Sequence, residues 1–178
     1  MDGVSRPLLP ILIVPLSVLL LAGSCTRSGD DLGLVSVDRP LPPIAGDTVQ
    51  GGRIEPADYA SSVLVVNFWA TWCGPCRSEQ PALQDVWDTY RGRGVEFVGV
   101  NYRDDAAAAG ACIDEFGVTY PSVEDAAGGW ADDFLLAGAP STYVADAGGR
   151  IRYLITGAVG ADQLSELLDE LLAEPAAA

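Results

Sequence analysis

Phe68-Trp69-Ala70-Thr71-Trp72-Cys73-Gly74-Pro75-Cys76 is the stretch on which the reading of this chain turns. It closes the run Val63-Leu64-Val65-Val66-Asn67, apolar but for one residue, which predicts a central strand covered on both faces. A helical pattern begins at about Gly74, with Leu83, Val86, Trp87 and Tyr90 on one face. Pro81 inside it predicts a kink. A Cys-x-x-Cys leading from a buried strand into a helix is a redox signature. At a helix start, unpaired N–H groups and the positive dipole end favour thiolate over thiol. Cys73 is therefore read as the exposed attacking nucleophile, and Cys76, one turn inside, as the more buried resolving thiol. Pro75 stiffens the turn, where its missing N–H costs nothing. The plainer readings of the pair are half a zinc site or a static disulfide. Zinc takes about four ligands. Only Cys112 remains to join them beyond the N-terminal segment, so neither a metal nor an organic cofactor is expected.

Outward from this motif the chain alternates. Thr48 to Ile54, with Gly51-Gly52 inside, reads as a small hairpin. Val95 to Val100 reads as a strand, followed by helical stretches over about 105–116 and 129–136. Ser141 to Ala145 and Arg150 to Thr156 read as strands joined at Ala147-Gly148-Gly149. A last helix over about 161–173 carries Leu164, Leu167, Leu168, Leu171 and Leu172 as its apolar stripe. This order predicts an α/β fold with a central mixed sheet flanked by helices.

Before the hairpin, Leu8 to Gly23 is a nearly unbroken apolar run behind Arg6. It has the form of an export signal, and is short and proline-broken for a membrane span. Ala22-Gly23-Ser24-Cys25 resembles a bacterial lipobox, which implies lipidation of Cys25, although the commonest form has leucine where Ala22 stands. A plain cleaved signal and an uncleaved anchor remain open. The following segment is rich in Gly, Asp, Ser and Pro and shows no sustained period. The expected organisation is a lipoprotein-type signal peptide at 1–24, a flexible tether at 25–46, one folded domain at 47–174 and a disordered tail at 175–178.

Composition narrows the chemistry. With 178 residues there is enough chain for one sizeable core. Acidic residues outnumber basic ones 25 to 10, for a formal charge of -15, and every basic residue is arginine. Such a surface repels nucleic acid. It reads either as a solvated face or as a means of steering a basic partner. The absence of histidine excludes Ser-His-Asp and Cys-His nucleophiles and histidine metal ligands.

Residues 47–174 resemble the thioredoxin superfamily and, within it, the membrane-tethered TlpA/ResA/DsbE-like group. Trp72-Cys73-Gly74-Pro75-Cys76 matches the group's motif, and Gly138-Ala139-Pro140-Ser141-Thr142-Tyr143-Val144 resembles its cis-proline segment. The resemblance implies a thioredoxin-like fold with a cis Ala139–Pro140 bond and Pro140 packed beside the cysteines. It implies substrate contacts at Trp72, Gly74, Pro75, Ala139 and Pro140, with the backbone of Ala139 bonding the client chain. The stretch from Val98 to Ala137 resembles the group's extra segment, a central helical insert.

Where thioredoxins often carry a buried aspartate, this chain has Asn67, and Glu79 matches a glutamate of the tethered group. Glu79 lies one helical turn beyond Cys76 and is expected to shuttle a proton to or from it, directly or through water. The alternative is a partly exposed helix glutamate. Cys112 reads as a small core residue or as a third redox thiol. Trp69, Trp72 and Pro140 are candidates for an apolar platform, and Tyr102-Arg103-Asp104-Asp105 for a loop at the carboxyl end of a strand, where ligand sites collect.

The expected activity is dithiol–disulfide exchange on protein substrates with cysteine pairs, at the extracytoplasmic face of the cell membrane, by a monomer. Export favours a compartment where disulfides persist. The resemblance implies reduction of clients such as the haem-binding Cys-x-x-Cys-His of apocytochrome c, with electrons from a membrane thiol–disulfide carrier. The alternatives are an oxidase donating disulfides to exported proteins and a non-catalytic thiol-binding or chaperone module.

Overall fold

Strand β4 (Val63–Trp69) has no side chain open to solvent, as its apolar run demands. It is the fourth strand of a six-stranded sheet. In a computed structural model, which describes Met1 and residues 33–174, the elements follow in this order: β1 (Leu34–Pro40), β2 (Gly46–Asp47), β3 (Arg53–Ile54), β4, α1 (Gly74–Tyr90), β5 (Val95–Tyr102), α2 (Ala106–Phe116), β6 (Ser122–Asp125), α3 (Gly129–Asp133), β7 (Ser141–Ala145), β8 (Arg150–Thr156) and α4 (Ala161–Ala173). The sheet order is β1-β8-β7-β4-β5-β6. β4 and β5 run parallel, as do β5 and β6, while β4–β7, β7–β8 and β8–β1 are antiparallel. This is the mixed sheet of a thioredoxin-like fold, with α2 as the central helical insert.

Alternation along β4 divides the core between two faces. Val63, Val65 and Trp69 pack with Leu83 and Val86 of α1, Ile113 of α2, and Leu164 and Leu168 of α4. Leu64, Val66 and Phe68 pack on the other side with Ile44, Phe134 and Tyr143. The last helix takes the span and stripe expected: Leu164, Leu167, Leu168 and Leu171 are buried and Leu172 half-buried. Each buried leucine is worth about 1.5–3 kcal/mol. Asp105 caps α2 by accepting from the Ala108 N–H at 2.9 Å. Gly117, at φ 64°, ends that helix in the left-handed conformation that glycine adopts freely.

Three parts differ from the sequence expectations. Leu34–Pro40, inside the segment expected to be a flexible tether, is the edge strand β1, so the folded domain begins at 34 rather than 47. Its side chains are half-buried or exposed, so no apolar period marks it, and pairing with β8 makes the strand. Pro40 sits at its end on the sheet edge, where a missing N–H is tolerated. Ser122–Asp125 forms a strand too short to carry a readable period. α3 stops at Asp133 rather than about 136, and Leu135 follows in a left-handed conformation at φ 54°. The signal segment with Cys25, and the tail 175–178, lie outside the described residues.

One close approach ties the sheet to the redox motif. Trp69 Nε1 donates to Ser122 Oγ at 2.8 Å across Gly99 of β5. A Cβ on Gly99 would overlap Ser122 Oγ and sit 3.0 Å from the indole nitrogen. Gly99→Ala is therefore expected to destabilise the protein by about 1–3 kcal/mol, the usual cost of overpacking. Urea unfolding of the full chain measures it, and wild-type stability would show that Ser122 and Trp69 yield without cost.

Candidate active site at the start of α1

β4 ends at Trp69, and Ala70-Thr71-Trp72 carries the chain to Cys73, the N-cap of α1. Cys73 keeps an extended backbone, and its Sγ accepts from the Cys76 N–H at 3.2 Å. Pro75 lies in the first turn, where no intrahelical donor is lost. Cys73 and Cys76 are joined as a disulfide. The order of exposure follows expectation, but the margin is small: Cys73 is 5% exposed and Cys76 0%. Access to Cys73 is thus a narrow window rather than an open thiol, bordered in sequence by Trp72, Gly74 and Pro75, all exposed.

The loop before the pair is held by a carboxylate. Asp104 accepts from the Thr71 N–H at 2.5 Å, the Thr71 hydroxyl at 2.7 Å and the Asn101 amide at 3.0 Å. Partial burial works to raise its pKa, but these donors outweigh it and the net shift is downward. The Trp72 indole donates to the Arg103 carbonyl at 3.2 Å, and its ring lies 6.5 Å from that of Tyr102. So the loop 102–104 at the end of β5 sets the conformation of the residues that lead into Cys73. Trp69, by contrast, is a buried core residue and takes no part in a surface platform.

The segment Gly138–Ser141 completes the rim. The Ala139–Pro140 bond is cis. Pro140 is buried, while half-buried Ala139 packs against the core cluster that contains both cysteines. Its N–H and C=O have no hydrogen-bond partner among the described residues.

Beneath the disulfide lies a buried polar group. Glu79 is 3% exposed, which removes the reading of a partly exposed helix glutamate. Its Oε1 accepts from Asn67 Nδ2 at 2.9 Å and its Oε2 from the Val159 N–H at 2.8 Å. Asn67 Nδ2 also donates to Thr142 Oγ1 at 3.1 Å. Burial pushes the Glu79 pKa up to about 7, against the pull of those two donors. Next along α1, Gln80 accepts from the Tyr120 hydroxyl at 2.8 Å. The Asn67 carbonyl oxygen and the Gln80 amide nitrogen are buried with no partner among the described residues.

Cys112 is a buried free thiol of α2. Arg77 reaches its sulfur at 3.4 Å, pairs with Glu115 at 2.8 Å and lies over the Phe116 ring, pinning α2 to α1. Burial raises the Cys112 pKa, opposed by Arg77, so this thiol is less ionised than an exposed one. Sequence reasoning missed Arg77, Thr142 and the Val159 N–H. A main-chain donor has no signature in composition or spacing. Arg77 carried a weak signal, one turn beyond Cys73 in the motif helix.

The Glu79 shift has a pH consequence. Its folded pKa stands above the ordinary 4.5, so folding favours the protonated carboxyl. Below pH 4.5 both states hold the proton and its contribution is complete. As pH rises the unfolded chain gives the proton up first, and stability falls until about pH 7. The expected loss is on the order of 3 kcal/mol, absent in Glu79→Gln. Urea unfolding of the disulfide form across pH 4–8 measures it, and parallel curves for the two proteins would contradict the burial argument.

Comparison with known proteins agrees with this geometry. The AhpC/TSA family model matches residues 37–154. The thiol:disulfide interchange protein DsbE of Pseudomonas aeruginosa is 35% identical over 179 residues, covering 94% of this chain and 97% of that protein. The thiol-disulfide oxidoreductase ResA of Oceanobacillus iheyensis is 31% identical over 125 residues, covering 70% of this chain and 65% of its own length. Among solved structures, a secreted thiol-disulfide isomerase from Corynebacterium glutamicum superposes with a TM-score of 0.74 at 27% identity, covering 83% of this chain and 96% of that one. With these relatives and a Cys-x-x-Cys pair at disulfide distance, the chain belongs to the AhpC/TSA family of thioredoxin-like proteins and is a thiol–disulfide oxidoreductase of the ResA/DsbE type.

Proposed function

We propose that this protein reduces disulfides of exported proteins, apocytochrome c among them, from a lipid anchor on the extracytoplasmic side of the membrane. The observation that carries the exchange chemistry is the Cys73–Cys76 pair at the start of α1 with Glu79 buried one turn beyond Cys76; the reductive direction rests on the resemblance to the tethered group. A base tuned to ambient pH suits a resolving thiol that must lose its proton in a dry site. The secreted Corynebacterium protein of similar fold supports an exported location, and Cys25 is the residue for lipidation. The choice of apocytochrome c rests on the resemblance of the motif and the insert to the tethered group.

In the reduced form, the Cys73 thiolate attacks one sulfur of a client disulfide, forming a mixed disulfide and releasing a client thiolate that takes up a proton. Cys76 gives its proton to Glu79 and attacks the Cys73 sulfur. The intramolecular disulfide forms, the second client thiolate leaves and is protonated, and two electrons have passed to the client. A membrane thiol–disulfide carrier in its dithiol form then reduces the Cys73–Cys76 disulfide, supplying two electrons and becoming a disulfide itself. Trp72, Gly74 and Pro75 border Cys73 on the exposed side, and the unpaired backbone of Ala139 beside cis Pro140 offers the client chain a donor and an acceptor. Cys112 stays a core thiol in this scheme, pinned by Arg77.

Two measurements test the proposal. Cys76→Ala is expected to accumulate a mixed disulfide through Cys73 that thiol reductants release, while Cys73→Ala accumulates none. Trapping through Cys112 instead would overturn these roles. The reduction potential of the pair decides direction. A value of roughly -270 mV or lower fits a reductase, and one near -120 mV fits a donor of disulfides.

A further inference from the structure

Asn67 sits in the middle of β4, a strand buried at every residue, and is 1% exposed, with its amide nitrogen fully used and its amide oxygen without a partner among the described residues. A buried amide oxygen without a donor costs about 1–3 kcal/mol. An aliphatic side chain would avoid that cost at this position, and the state in which the oxygen goes unsatisfied is the disulfide state. Val65 and Trp69, the neighbours of Asn67 on its face of β4, pack in the same cluster as Cys73 and Cys76. Glu79, bonded to the Asn67 nitrogen, is one turn from Cys76 on the same helix. A disulfide sulfur brings no proton to this pocket, whereas opening the disulfide adds an S–H at Cys76.

We propose that the Asn67 amide is a reversible adaptor between Glu79 and Cys76, presenting its N–H2 end to whichever of the two is ionised and its carbonyl to whichever is protonated. The inference rests on the reading of Glu79 as the proton carrier and gives Asn67 a positioning role in it. With Glu79 ionised, the amide nitrogen stands as observed, toward Glu79 Oε1 and Thr142 Oγ1; in the dithiol form the unused oxygen accepts from the Cys76 thiol. When the proton moves from Cys76 to Glu79, the carboxyl becomes a donor and the sulfur an acceptor. A half-turn of the amide, whose two ends have nearly equal volume, then sets the oxygen on Glu79 and Thr142 and the nitrogen on the thiolate. The Thr142 hydroxyl can donate or accept and so suits both states. No charge is created or lost, because one proton changes place.

The groups around Glu79 are consistent with such a balance. Asn67 reaches it from β4, with Thr142 of β7 on the same amide; the Val159 N–H reaches it from the turn before α4; Tyr120 lies close before β6; Cys76 and Gln80 share its helix. None carries a fixed charge, so the state of Glu79 is set by burial and by two donors, of which the Val159 N–H is fixed and the Asn67 amide can turn. An aspartate at 67 would lack this property, since it would add a second acid to the same hydrogen bond.

The test uses isotope-labelled full-length protein and NMR. The Asn67 side-chain amide resonances are expected to shift with the same pH midpoint as the Glu79 carboxyl carbon, and to differ between the disulfide and dithiol forms. Resonances that ignore both the Glu79 titration and the redox state would overturn the inference in favour of a bound water on the amide oxygen. In parallel, Asn67→Leu keeps the shape and removes the hydrogen bonds, and is expected to raise the pH midpoint of mixed-disulfide resolution by about one pH unit. If Glu79→Gln changes that profile while folded Asn67→Leu matches the wild type, the adaptor alone is wrong. If Glu79→Gln leaves the profile unchanged, the proton-carrier reading has failed and the adaptor falls with it.

Discussion

β4 makes backbone ladders along both edges, in parallel register with β5 from Val63 to Trp69 and antiparallel with β7 from Leu64 to Phe68. A strand bonded on both sides cannot shift by one residue without turning its whole apolar set to the wrong face. That constraint places the end of β4, and hence the first turn of α1, at one point of the molecule. The same ladders bring the other parts of the site to it. Phe68 pairs with Ser141, next to cis Pro140, and Trp69 pairs with Asn101, just before the loop that holds Thr71 and Trp72. The reactive pair is therefore a consequence of strand register as much as of the motif.

Two carboxylates near the pair show how burial and donors compete. Asp104 is half-buried and surrounded by donors from Thr71, Asn101 and Asp105, so its ionised form is favoured. Glu79 is nearly sealed and has two donors, so desolvation wins and its proton is held to about pH 7. One group is held toward its ionised form by its donors and fixes backbone; the other changes state near ambient pH. Their different roles follow from different surroundings of the same functional group.

The site is also asymmetric in rigidity. Toward the core, Cys76, Glu79 and Asn67 are buried, and Asn67 and Glu79 are hydrogen-bonded to each other. Toward solvent, Trp72 and the backbone of Ala139 are left open. In the proposed scheme, a client chain bonding to Ala139 would meet a prearranged donor and acceptor, which limits the ordering cost of docking.

Much of the fold and the centre of the site were legible in the sequence. The apolar run of β4, the leucine stripe of α4 and the Gly-rich turn before β8 are strong local patterns, and the structure has the elements they predict. Cys73 and Cys76 were marked by a motif whose chemistry is local, a thiol at a helix start. Elements that local pattern does not specify were read less well. β1 looked like a tether because an edge strand half open to water has no period, and β6 is too short to show one. Asn67 and Glu79 were visible as types and spacings, but their hydrogen bond joins residues twelve apart on different elements. The burial that sets the state of Glu79, the orphaned oxygen of Asn67 and the narrow opening over Cys73 exist only after α1, α4 and the sheet have closed on one another. Sequence determines which groups are available and which elements form around them; dielectric, donor count and access are properties of the packed whole, and tertiary structure alone decides those.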